Sequence, residues 1–158
     1  MRVKFLSLLA AVALVAACET APQDTGAGAA TGANAAGSVR PGSQEDLVVN
    51  VGDRVFFGLD RYDLSPEARG TLDRQAQWLK SYPNVTVTME GHADERGTRE
   101  YNLALGERRA NSVKNYLVAQ GINSARVKVV SYGKERPAVL GSNEAAWAQN
   151  RRGVTVVD

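Results

Sequence analysis

Asp94 and Arg109 are the two residues whose types and surroundings best fit a chemical task. Asp94 lies in Gly91-His92-Ala93-Asp94-Glu95-Arg96-Gly97-Thr98, a segment that joins a strand pattern to a long helical one. Arg109 falls four residues after Leu105 and four before Val113, in the register of an apolar helix stripe. A buried arginine requires partners, and surface arginines rarely keep such a register. Two readings follow. Arg109 and Asp94 form an internal ion pair, or they form a site for a small zwitterion. In the second, Arg109 clamps a carboxylate with parallel donors and Asp94 accepts from an ammonium. The two are about 16 Å apart along the helix axis if Asp94 stays beyond Thr98, so its loop must fold back along the helix flank.

Asp60 and Asp63, in Leu59-Asp60-Arg61-Tyr62-Asp63, either shape the turn before Ser65 or, for Asp60, contact a ligand. Glu90, His92 and Asp94 alternate and on one strand face would suggest a metal-assisted hydrolase. A single histidine and no nearby cysteine make that a weak zinc pattern. No nucleophile elbow, phosphate loop or cofactor fingerprint is present. Arg151 and Arg152 pair with neighbouring acids in this reading.

The elements that must position these residues begin near Leu47. Leu47–Val51 and Arg54–Phe57 read as strands. Ser65-Pro66-Glu67 opens a helix with an N-cap, an early proline and an early acid, and its stripe of Leu72, Gln75, Ala76 and Leu79 ends near Ser81. Val85, Val87 and Met89 alternate with threonines as a half-buried strand. Thr98 caps a helix running to Gln120 and stopped by Gly121, with Tyr101, Leu105, Val113, Tyr116 and Leu117 inward. Val127–Val130 form a strand, Asn143 to about Gln149 a short helix, and Val154–Val157 a last strand. The order β-α-β-α-β-(α)-β predicts a two-layer α/β domain, with helices packed on one face of a mixed sheet.

The first 46 residues belong to other physical classes. Arg2 and Lys4 precede an apolar run from Phe5 to Val15 and the small residues Ala16 and Ala17, the pattern of a cleaved signal peptide over residues 1–17. It is too short for a comfortable membrane span. Residues 18–46 form a lipid-bearing N-terminus and a tether rich in Gly, Ala, Ser and Thr, with too little apolar surface to fold. About 28 such residues have a root-mean-square span of roughly 30 Å. Without Arg2 and Lys4, the remaining basic and acidic residues balance, so nothing attracts nucleic acid in general. Cys18 is the only cysteine, which excludes an internal disulfide and a Cys-rich zinc site.

Val15-Ala16-Ala17-Cys18 resembles the bacterial lipoprotein box, in which the cysteine sulfur carries diacylglycerol. Glu19, where an Asp favours inner-membrane retention, implies the outer membrane by the same resemblance. Gly91 to Ala110, with Val130-Ser131-Tyr132-Gly133-Lys134-Glu135-Arg136-Pro137-Ala138 and Asn150-Arg151-Arg152, resembles the OmpA-like domains of the peptidoglycan-associated lipoprotein family over roughly residues 51–158. The resemblance implies a non-enzymatic domain that binds meso-diaminopimelate in uncrosslinked peptidoglycan stems and links the outer membrane to the wall. It also implies a periplasmic β-propeller partner of the Tol-Pal system, docking over the same site, and a role in envelope integrity and cell division. By position it assigns Asp94 to the ammonium, Arg109 to the carboxylate and Asp60 to the ligand's vicinity. Gly97, Asn102 and Leu105 match motif positions, with scaffold roles as a tight turn, a helix-start contact and a core residue.

Overall fold

Ser43 starts the first regular structure of a computed structural model that describes residues 39–158. The expected leader, Cys18 and the tether up to residue 38 lie outside the described residues. The elements are α1 (Gln44–Asp46), a π-helical turn (Leu47–Val51), β1 (Arg54–Phe56), α2 (Pro66–Ser81), β2 (Val87–His92) and α3 (Arg99–Ala119). A 3₁₀ turn (Ser124–Arg126), β3 (Val127–Gly133), α4 (Glu144–Asn150) and β4 (Arg152–Val157) complete the chain.

The four strands form one mixed sheet in the order β1-β4-β2-β3. β2 and β3 are parallel, and α3 makes the crossover between them, while β4 runs antiparallel to both β1 and β2. Leu72, Ala76 and Leu79 of α2 and Ala110, Val113 and Leu117 of α3 share one core with Val55, Val87, Met89 and Val127 of the sheet. The helix starts follow from local chemistry: Ser65 accepts from the Ala68 N–H, Thr98 from Tyr101 and Asn143 from Ala146. Among the described residues, no helix is long and apolar enough to cross a membrane.

One expected strand is absent. Leu47–Val51 is a π-helical turn, although its β-branched residues suit a strand. Ser43 caps the preceding turn, and the Asp46 carboxylate accepts from Gly42 N, Asn50 Nδ2 and Trp78 Nε1. These bonds wind the chain. Leu47 then points into the core, while Val48 and Val49 are exposed. Gln44–Asp46, counted with the tether on composition, also belongs to the fold. β1 reaches only as far as Val154 along β4, and beyond it Gln44 donates to Thr155 O and accepts from Val157 N. A side-chain amide thus continues the sheet edge where the strand stops.

The closest backbone approach sets the position of the long helix. A Cβ on Gly91 would lie 1.7 Å from the Gly106 carbonyl oxygen, so β2 and α3 touch through two glycines. Arg109, one turn later on α3, is thereby held against the C-terminal end of β2.

Candidate functional site

Arg109 is fully buried, and its guanidinium is held by backbone carbonyls. Nη1 donates to His92 O at 2.8 Å, Nε to Arg61 O at 2.8 Å and Nη2 to Gly58 O at 3.0 Å. The guanidinium carbon lies 5.3 Å from the centre of the Phe57 ring. Three of its five N–H groups are thus used, leaving one on each terminal nitrogen. Burial pushes its pKa down to about 10; Asp94 and Asp60 pull it upward, and it is charged at neutral pH.

Asp94 is buried too, but its bonded partners are other arginines. Arg96 Nη2 lies 2.6 Å from Oδ2, Arg96 N and Nε bond to Oδ1, and Arg151 Nη1 lies 3.3 Å from Oδ2. Burial alone would raise the Asp94 pKa, but the Arg96 side chain, its backbone N–H and Arg151 outweigh burial and hold it below the ordinary carboxylate value. The direct Asp94–Arg109 ion pair is therefore not formed. Each charge is held separately, and both line the same cavity of about 270 Å³.

That cavity gathers Asp60, Asp94, Gly97, Asn102, Leu105 and Arg109, but not Asp63, Glu90 or His92. Gly97 has φ +90°, the left-handed turn expected of it, and Asn102 Nδ2 donates to Arg96 O to fix the loop against the start of α3. Leu105 is buried in the cavity floor. Asp60 shapes the turn, as the only non-glycine among the described residues with positive φ, and it also lines the cavity. Its carboxylate accepts from the Tyr101 hydroxyl, which raises the Tyr101 pKa. Asp63 instead pairs with Arg61 on the surface.

Leu59, Ala93, Arg96 and Tyr101 also line the cavity, and the two polar ones were not legible as cavity residues. Tyr101 has the spacing of a core position, yet it is 43% exposed and stands at the rim opposite Asp60. Arg96 follows Asp94 by two residues, the spacing at which an aspartate commonly accepts a backbone N–H. That spacing is the available signal, and the stacking of Arg96 over Trp147 at 4.0 Å has none. Of the pair Arg151-Arg152, Arg151 bonds to Asp94 and Glu144 as expected of it, whereas Arg152 donates to the carbonyls of Asn150 and Arg136.

Glu90, His92 and Asp94 are not brought together as a three-ligand set. His92 Nε2 lies 3.3 Å from Glu90 Oε2, while Asp94 turns away to its two arginines. No group of three potential metal ligands occurs among the described residues. His92 is buried with Nδ1 unpartnered. Burial, then the charges of Arg152 and Arg136, push its pKa down to about 4, with only the Arg136 backbone opposing them.

A sequence model of the OmpA family matches residues 56–151, more than half of the chain and all of the cavity. The chain belongs to the OmpA family. The chain is 56% identical over 126 residues to a peptidoglycan-associated lipoprotein of Agrobacterium fabrum, covering 80% of this chain and 71% of that one. A Mesorhizobium japonicum protein of the same name is 49% identical over 151 residues, covering 95% and 90%. Among solved structures, the OmpA-like fold superposes on the peptidoglycan-associated lipoprotein from Burkholderia pseudomallei with a TM-score of 0.66 at 44% identity, over 67% of this chain and 90% of that one. The C-terminal domain of Helicobacter pylori MotB shares the fold, with a TM-score of 0.63 at 19% identity over 67% and 84%.

Proposed function

We propose that this protein is a lipid-anchored envelope component whose OmpA-like domain binds peptidoglycan without catalysis and links the outer membrane to the cell wall. Its ligand is the meso-diaminopimelate of uncrosslinked stem peptides, which carries an ammonium and a carboxylate on one carbon. Asp94 receives the ammonium, Arg109 the carboxylate, and Asp60 borders the ligand.

One observation carries this reading: a buried acid and a buried base line one cavity without bonding to each other. At about 270 Å³ the space equals roughly nine liquid waters, enough for an amino-acid head group. The names of the relatives support a wall-binding protein over a hydrolase. Acylated Cys18 anchors the chain in the outer membrane with the domain in the periplasm, and residues 19–43 act as its tether. A periplasmic β-propeller protein of the Tol system competes for the cavity rim, which ties wall release to envelope integrity and cell division.

Co-sedimentation with purified sacculi tests the site. Asp94→Asn removes the acidic half of the charge complement, and Arg109→Lys keeps the charge but removes the planar fork that would clamp a carboxylate; both are expected to leave the protein in the supernatant, with folding checked by circular dichroism. Wild-type sedimentation by both variants would overturn the assignment. Titration with stem peptides containing lysine in place of diaminopimelate, which lack the side-chain carboxylate, is expected to show much weaker binding.

A further inference from the structure

Asp94 has no acceptor position left for a ligand. An ionised carboxylate offers about four lone-pair sites, and four donors already occupy them. The Arg96 N–H at 3.1 Å and Arg96 Nε at 3.2 Å take Oδ1; Arg96 Nη2 at 2.6 Å and Arg151 Nη1 at 3.3 Å take Oδ2. An ammonium that enters the cavity and bonds to Asp94 must displace one of them.

Only the Arg96 side chain is placed to leave. Its backbone N–H sits in a turn fixed by Gly97 and by the Asn102 bond to the Arg96 carbonyl. The Arg151 side chain is only 7% exposed, and it is also tied to Phe57 O and Glu144. The Arg96 side chain is 34% exposed, and its hydrogen bonds go to Asp94 alone. It lies over the Trp147 ring, with Glu144 Oε2 4.0 Å from its Nη1. A short swing along the indole face exchanges one carboxylate for another and keeps the stacking contact.

We propose that Arg96 is the resident cation of the site, occupying Asp94 until a ligand ammonium replaces it. This rests on the zwitterion reading above and adds to it that binding is an exchange of cations. The ammonium contributes only its advantage over Arg96, so Arg96 keeps the grip weak and reversible. Trp147 and Glu144 provide the position to which Arg96 retires.

The test pairs two ligands with two proteins. The ligands are the tripeptide L-Ala-D-Glu-meso-diaminopimelate and the same peptide with hydrogen in place of the terminal ammonium. Calorimetric titration compares wild type with Arg96→Gln, and with Arg96→Met, which keeps the apolar stem over Trp147. Both variants are expected to bind the amine peptide roughly tenfold more tightly, the size of one charge-assisted pair partly open to solvent. The deaminated peptide, which leaves Asp94 alone, is expected to bind all three proteins equally. A loss of affinity for both peptides would make Arg96 a direct ligand contact, and an equal change for both would make it structural; either overturns the proposal alone. If wild type binds neither peptide, the zwitterion reading falls and this proposal with it. In wild type, the Arg96 Nε–H resonance should become faster exchanging with solvent on saturation with the amine peptide. An unchanged rate would also overturn the exchange.

Discussion

Arg109 joins the fold and the site in one side chain, since its three carbonyl bonds hold the loop after β1 and the end of β2 around the cavity. Arg109→Ala therefore removes more than a ligand contact. It strands three carbonyl groups and opens a void, and a loss on the order of 3–5 kcal/mol is expected in urea unfolding, the range for breaking a buried charged cluster. Arg109→Lys keeps the charge but lacks the planar fork, so binding falls with a smaller loss of stability. His92 gives a second residue-scale prediction. Its folded pKa of about 4 lies below the ordinary value of 6.5, so between those pH values the unfolded chain binds the extra proton. Stability falls as pH drops through that window, by about 3 kcal/mol at the full shift. His92 is the only histidine, so the slope in urea melts between pH 6.5 and 4 is expected to flatten in His92→Gln. Asp46, Asp94 and Asp158 are held below their ordinary value, so their stabilising contribution is lost only at still lower pH.

Between elements, the Gly91–Gly106 contact decides whether α3 delivers Arg109 to β2. Gly91→Ala places a methyl group inside the Gly106 carbonyl, and neither backbone can yield without moving the helix. We expect a loss of several kcal/mol, beyond the 1–3 typical of overpacking. Sacculus binding is expected to fail even where thermal melts show a folded fraction. Nothing in the sequence announced that contact, because Gly106 sits in an ordinary helical pattern. The parts of the fold that were legible are those with local causes. Ser65, Thr98 and Asn143 cap their helices by bonds within three residues, and Gly121 ends α3 where a left-handed residue is required. Leu47–Val51 misled because its winding depends on Trp78, 32 residues from Asp46. The same division runs through the site. Asp94 and Arg109 were visible through loop position and helix register, whereas Arg96 on Trp147 and Tyr101 on Asp60 depend on segments brought together only by the fold.

At the scale of the whole molecule, the cavity and the proposed anchor perform separable tasks. All cavity-lining residues fall between Leu59 and Arg109, far along the chain from Cys18. A Cys18→Ser variant is expected to leave the membrane fraction for the soluble periplasmic one, while purified protein binds sacculi as wild type does. Tether length gives the sharper test, because it changes neither anchor nor cavity. Residues 19–43, 25 in number, reach roughly 80–90 Å when fully extended, and deleting residues 20–38 reduces that to about 20 Å. In the proposed function the domain must stand clear of the membrane to meet a stem peptide, so the shortened protein is expected to remain in the membrane fraction yet lose its crosslinks to the wall in intact cells. Replacing the deleted residues with an equally long Gly/Ser segment should restore the crosslinks, since reach rather than sequence is what the tether supplies. Wall crosslinking by the shortened protein at wild-type levels would place the binding site closer to the membrane than this span requires, and would remove the tether from the account.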